Sequence, residues 1–187
     1  MALDPENKWT KAIGDLKPTK VVADAAAAMA KTVDGLVTGK AGLKGITGKL
    51  QFTFPIALFQ TGLLGLAPLP DASAASQAWA MAWGNAVLTS IMVIPSGAIF
   101  GAASPKTIWS APPVVVLLPP SVQAAQLSLA TDLAAAGADP AKKADDNKLG
   151  AALRKAFLLL QFSATGLDTT PTPAGPLPLI VPAVSLM

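Results

Sequence analysis

The sequence contains no histidine, no cysteine and no tyrosine. Without histidine it lacks the side chain whose ordinary pKa lies nearest neutrality, and without cysteine it lacks the thiolate nucleophile and any disulfide. The two absences also remove the imidazole and thiolate ligands of most protein zinc sites. The composition therefore argues against an enzyme that uses acid–base, thiol or metal chemistry, and we predict no catalytic residue, no metal site and no cofactor.

Charged residues are scarce as well. They make up 13% of the chain, against about 25% in an average soluble protein. Hydrophobic residues make up 52%, and the mean hydropathy is +0.51. Because a chain of this length cannot bury all of its apolar side chains when it folds alone, we expect other subunits or lipid to cover part of its surface.

The net charge of +3 arises entirely in the first fifty residues, and the remainder of the chain is neutral. The basic residues are scattered, and Arg154 is the only arginine. Since arginine is the preferred reader of phosphates and base edges, this pattern does not predict a nucleic-acid partner. Asp4 and Glu6 lie where a secretory signal would carry positive charge, so we predict no such signal.

Residues 1–38 predict two amphipathic helices. Asp4 is suited to cap the first helix, with Pro5 at its first position, and Pro18 ends it. Thr19 is suited to cap the second helix, whose solvated face carries charges of both signs. We therefore predict that residues 1–38 form a separate N-terminal segment that consists of these two helices.

Residues 39–50 form a stretch rich in glycine and lysine. A Walker-type phosphate loop combines the same residue types, but the segment from Gly42 to Lys49 is one residue too long, and Leu50 replaces the required serine or threonine. We therefore interpret the stretch as a flexible or assembly-ordered linker.

Residues 51–169 predict an apolar core that is mainly helical. Hydrophobic periodicity, capping residues and prolines delimit its elements. The first is an edge strand at 51–54, or instead a short apolar segment at 56–66 that Pro55 opens. A third helix from Asp71 towards Ile94 and a strand at 114–118 follow. The last two elements are a fourth helix at 121–137 and a fifth helix from Asp139 to Gly166. The fold class is thus mainly α: a bundle of about five helices with short extended or β segments and an extended C-terminal arm.

Residues 170–187 are rich in proline and predict that arm, with a backbone close to polyproline II. Unlike a solvated linker, the segment is strongly apolar, so we expect it to dock on a neighbouring subunit. Its candidate contact residues are Leu177, Leu179, Ile180, Val181, Val184 and Leu186.

Trp79 and Trp83 lie four residues apart and therefore share one face of the third helix. They are further candidates for subunit contacts. Packing in the core of their own chain is the simpler interpretation.

No pattern of acidic or hydroxyl side chains in the sequence predicts a catalytic site. Asp145 and Asp146 are adjacent and so point to different faces of a helix, whereas a glycosidase pair faces one cleft. Ser96 lacks the Gly-x-Ser-x-Gly frame and any histidine to activate it, and no motif brings Lys106 to its side.

The sequence favours a non-enzymatic structural subunit of a large assembly of the virion, phage tail or injection-device type, which holds its neighbours through apolar helices and an extended arm. We expect it in a virion or a cytoplasmic assembly. Its partners would be further copies of itself or other subunits. The alternative is a polytopic membrane protein with helices around 50–70, 72–103 and 149–165. Residues 72–105 carry no charge and exceed the roughly 20 apolar residues that a spanning helix needs, although prolines interrupt these segments repeatedly.

Overall fold

A computed structural model describes residues 3–16, 21–47, 51–66, 71–93, 99–100, 107–108, 114–137, 146–168 and 177–186. These residues form six helices and short antiparallel strands, which confirms the prediction of a mainly helical fold. The helices are α1 (Glu6–Gly14), α2 (Val22–Val37), α3 (Ile56–Leu64), α4 (Ala72–Leu88), α5 (Pro119–Gly137) and α6 (Asp146–Leu158).

The strands form three small sheets with the orders β1–β4–β5, β2–β3 and β6–β7–β8. Every pairing within them is antiparallel. The strands are β1 (Ile46–Thr47), β2 (Gln51–Thr53), β3 (Ile91–Val93), β4 (Ile99–Phe100), β5 (Thr107–Ile108), β6 (Val114–Leu117), β7 (Gln161–Asp168) and β8 (Leu177–Ser185).

Helix α1 has no side-chain cap, so the capping role predicted for Asp4 is wrong. Pro5 occupies the cap position instead. The carboxylate of Asp4 accepts hydrogen bonds from the ammonium groups of Lys8, at 3.1 Å, and Lys40, at 3.0 Å. The carboxylate therefore binds two ammonium groups and does not accept a hydrogen bond from the first backbone N–H groups of the helix.

Helix α4 begins as predicted, because the carboxylate of Asp71 accepts a hydrogen bond from the backbone N–H of Ala74 at 2.7 Å. It ends at Leu88, before the predicted end at Ile94. The β-branched segment that follows leaves the helix and pairs as β3 with β2. Its partner strand lies about 40 residues earlier in the sequence, so the local sequence pattern could not reveal this pairing.

The prediction that the fifth helix continues to Gly166 is wrong. Helix α6 ends at Leu158, and the chain turns into β7, the central strand of its sheet. Phe162 and Ala164, two residues apart, are both buried, as expected for one face of a strand. Because β6 and β8 satisfy the backbone on both edges of β7, the tertiary context overrides the local helix propensity.

An aromatic cluster forms the centre of the core, with Phe157 of α6 in its middle. The ring centroid of Phe157 lies 5.3 to 6.3 Å from those of Trp9, Phe52, Phe54 and Trp83. All five rings are buried. Since they come from α1, the region of β2, α4 and α6, the N-terminal helices and the apolar part of the chain share one core.

The described part of the stretch rich in glycine and lysine packs into this core. Ala41, Leu43 and Ile46 are buried. Gly39 has a φ of +69°, a left-handed conformation that favours glycine, and its N–H donates to the carbonyl oxygen of Phe52 at 3.1 Å. Residues 39–47 of the stretch therefore make defined backbone contacts with the rest of the fold.

The spans of the membrane alternative do not form the helices predicted for them. The helices in these regions are α3 with 9 residues, α4 with 17 residues and α6 with 13 residues. Within the described ranges, no helix combines the length and the apolar character that crossing a bilayer requires.

Candidate subunit-contact surface

The two tryptophans predicted as contact candidates pack within their own chain. Trp83 has no exposed surface and meets Phe157 edge to face. Trp79 is half-buried and meets Phe59 edge to face, with the ring centroids 5.3 Å apart. This is the geometry of aromatic residues in a core.

The structure describes residues 177–186 of the predicted arm, of which Leu177–Ser185 form β8 and pair with β7 of the same chain. Pro178 and Pro182 lie in this strand, which is at the edge of its sheet, the place where a missing N–H is tolerated. Leu186 is buried and forms an isolated bridge with Leu43. The contact with a neighbouring subunit stays a prediction. The structure describes only the backbone of the other candidates, Leu177, Leu179, Ile180, Val181 and Val184.

An exposed apolar surface that the sequence analysis missed lies on β2 and β3. Ile91 is the partner of Thr53, and Val93 is the partner of Gln51. All four side chains are exposed, whereas the residues between them in each strand are buried. The alternation of the strands thus presents two β-branched side chains outward in a row.

Strand β6 carries a further exposed apolar side chain near this surface. Val116 is exposed, while Val115 and Leu117 pack against the core. Strands β3 and β6 are neighbours in space, and each has a hydrogen-bonded partner on one side only among the described strands. We call the five outward side chains together the neutral strand surface: Gln51, Thr53, Ile91, Val93 and Val116.

The neutral strand surface contains no charged side chain. Charges lie elsewhere, for example in the ion pair of Asp132 with Lys155, where the carboxylate and the ammonium group are 2.9 Å apart. They also lie around Asp4, where hydrogen bonds from Lys40 and then Lys8 hold the pKa of the carboxyl below its ordinary value of 3.8. None of these charged side chains belongs to the neutral strand surface.

The described residues show no grouping suited to metal chemistry. Among them, no three acidic side chains are close enough to hold a metal ion. Ser96, Lys106 and Asp145 lie outside the described residues, as does the side chain of Asp146. The sequence-based expectation of a protein without a catalytic site stays a prediction.

A local signal for the missed surface does exist in the sequence. Ile91, Met92 and Val93 follow Thr89 and Ser90, two residues of lower helix propensity than the alanines before them. The apolar character of the preceding helix conceals this boundary, because an apolar run after an apolar helix reads as its continuation.

Comparison with family models, with curated proteins and with solved structures identifies no match to this chain.

Proposed function

We propose that the protein is a non-enzymatic structural subunit of a large assembly, of the virion, phage tail or injection-device type, in which other copies or other subunits cover the neutral strand surface. The observation that carries this proposal is the exposure of Ile91, Val93 and Val116, at 60%, 43% and 54%, on two neighbouring strands. Covering them removes apolar area from water without desolvating a charge.

Among the described strands, β3 and β6 each have a hydrogen-bonded partner on one side only, which supports the same proposal. An open edge offers backbone N–H and C=O groups to a strand of another chain. Monomeric proteins often protect such edges with lysine or another charged residue. Neither β3 nor β6 contains a charged residue, so both edges suit a partner strand.

The composition also supports a position among neighbouring subunits. Between Leu50 and Thr131 the only charged residues are Asp71 and Lys106. A subunit that is surrounded by neighbours does not need charges over this part for solubility. The absence of histidine and cysteine agrees with a structural role.

Sedimentation velocity of the purified full chain tests the proposal. We expect a large species whose size does not change with mild detergent. The double variant Ile91→Lys, Val93→Lys should sediment as a much smaller species, because two charges would have to be buried in each contact. Circular dichroism should show that this variant keeps its helix content, since both side chains are exposed.

Val22→Lys is the matched control, since Val22 of α2 is a valine with 66% exposure outside the neutral strand surface. It should assemble like the wild type. A wild-type chain that is monomeric at high concentration would overturn the proposed function. If the double variant assembled normally, or if Val22→Lys dissociated equally, the assignment of the contact to this surface would be wrong.

A further inference from the structure

Strand β8 contacts the rest of the fold mainly along β7. The two strands pair from Asp168 with Leu177 to Gln161 with Ser185, and β8 lies at the edge of their sheet. All nine residues of β8 are uncharged. A strand that is held along one neighbour can leave its place as a unit, and the same strand of another copy can then occupy that place with identical contacts.

The residues at the end of β8 are anchored as well. Leu186 is buried, and its N–H donates to the carbonyl oxygen of Leu160 at 3.3 Å. The carbonyl oxygen of Ser185 accepts a hydrogen bond from the N–H of Lys44 at 2.9 Å. Strand β7 and these neighbours therefore form a receiving site, which offers a ladder to the backbone of β8 and a buried place to the side chain of Leu186.

The connection between β7 and β8 is long for a hairpin. It comprises the eight residues 169–176, which lie outside the described residues. Its ends adjoin the partners Asp168 and Leu177, whose Cα atoms in such a ladder are about 5 Å apart. Hairpin loops usually have about two to five residues, whereas eight residues of extended chain span about 25 Å. The connection is therefore long enough to reach a neighbouring copy.

The sequence of this connection favours an extended chain over a reversal. It contains Pro171, Pro173 and Pro176. Each proline fixes its own φ and restricts the preceding residue to extended conformations, so six of the eight residues have a restricted backbone. Pairing with β7 of the same chain requires the connection to reverse its direction, whereas pairing with β7 of a neighbour does not. The prolines therefore disfavour the closed hairpin relative to an exchanged strand.

We propose that β8 is exchanged between copies of this chain, so that each subunit of the assembly pairs its β7 with the β8 of a neighbour in the same register. This inference rests on the proposed function, and it names the segment that joins the subunits. Exchange from each copy to the next is head-to-tail and can link many subunits. It keeps the contacts of the single chain, because the receiving site meets the same residues.

A pair of introduced cysteines tests the exchange, since the chain has no cysteine of its own. The N–H of Gln161 donates to Oγ of Ser121, and its carbonyl oxygen accepts from the N–H of Leu118, so both groups point towards β6. Gln161 and Ser185 are therefore partners without mutual hydrogen bonds. The Cα atoms of such partners are about 4.5 Å apart, which suits a disulfide.

The double variant Gln161→Cys, Ser185→Cys is assembled, oxidised and then denatured without reductant. Exchange should shift its band from 18.9 kDa to a ladder of multiples of this mass. An oxidised band that stays at the mass of one chain would overturn the exchange. Val116→Cys, Ser163→Cys is the matched control, because these partners join β7 to β6 on its other side. It should stay at the mass of one chain.

A connection that forces closure provides a further variant. Residues 169–176 are replaced by the dipeptide asparagine-glycine, which forms a tight turn between Asp168 and Leu177. In this background the cysteine pair of β7 and β8 should give an oxidised single chain, and a persisting ladder would overturn the exchange.

Sedimentation of the wild type separates the two proposals. A monomeric wild type would contradict the proposed function and the exchange together. An assembled wild type whose cysteine pair closes within one chain would contradict the exchange alone.

Discussion

Two regions of the molecule differ in charge. The first group of elements comprises the helices α1, α2 and α6, and the second comprises α3, α4, β2 and β3. The first group carries charged residues in every helix, whereas the second group contains none. In the first group each helix has a solvated face that its charges mark. In the second group the exposed side chains are apolar or polar without charge, so their solvation is less favourable. Under the proposed function, water covers the exposed faces of the first region and a partner covers those of the second.

Two helix contacts, that of α1 with α6 in the charged region and that of α4 with α5, also differ in which atoms lie against a glycine. A Cβ atom on Gly150 would lie 2.7 Å from the Cα atom of Thr10, so the backbone of α1 blocks it. A Cβ atom on Gly84 of α4 would meet the side chain of Gln126 of α5. A side chain can rotate away, whereas a helix backbone must move as a unit. The contact in the charged region is therefore the more rigid of the two.

The largest expected effect concerns Phe157, which joins the two regions. Phe157→Ala removes ring contacts to Trp9 on one side and to Trp83 on the other. It should lower the free energy of unfolding by about 3–5 kcal/mol, as measured by urea denaturation. Leu127→Ala is the control, because Leu127 is 71% exposed, and it should change this free energy by under about 0.5 kcal/mol. A loss below about 1 kcal/mol for Phe157→Ala would contradict the shared core.

The second prediction compares the two glycines. Gly150→Ala should lower the free energy of unfolding by about 1–3 kcal/mol, since the methyl group overpacks a backbone contact. Gly84→Ala should change it by under about 1 kcal/mol, because the gain in helix propensity offsets the rotation of Gln126. Thermal and urea denaturation of both variants measure the difference. Equal losses would show that the two helix contacts are similarly rigid.

The third prediction uses salt to separate the two regions. Between about 0.1 M and 1 M salt the Debye length falls from about 10 Å to 3 Å. Higher salt should weaken the exposed ion pairs of the first region, such as that of Lys8 with Asp4. The sedimentation of the assembly should not shift to smaller species, because the neutral strand surface contains no charge. Dissociation of the assembly by salt would contradict the comparison.

The smallest effect is expected for Asp4. Its pKa is lowered by Lys40 and Lys8, so the carboxylate adds stability above its ordinary pKa of 3.8, and this contribution is lost as the pH falls through the lower pKa of the folded state. Asp4→Asn should therefore reduce the free energy of unfolding at neutral pH by under about 1 kcal/mol.

The difference between the wild type and Asp4→Asn should shrink as the pH falls below 3.8. Urea denaturation at several pH values measures it. Asp24→Asn, on an exposed aspartate of α2, serves as the control. A difference that grows towards acid pH would contradict the sign of the argument.

Elements with strong local signals were predicted well. Helix α5 was expected at 121–137 and is found at Pro119–Gly137, and β6 was expected at 114–118 and is found at Val114–Leu117. Prolines and a glycine delimit both, and these act within a few residues of the chain. Strands β3 and β7 were missed because their partners, not their neighbours in sequence, stabilise them.

The sequence by itself determined that the chain has no imidazole and no thiol, that its middle part is almost free of charge, and that locally capped segments such as α4 form helices. These properties depend on composition or on neighbouring residues. Only the tertiary structure decided that β2 meets β3, that Ile91, Val93 and Val116 are exposed, and that Gly150 of α6 lies against the backbone of α1. The physical reason is that a strand register and a helix contact join residues far apart in the chain, so no local pattern encodes them.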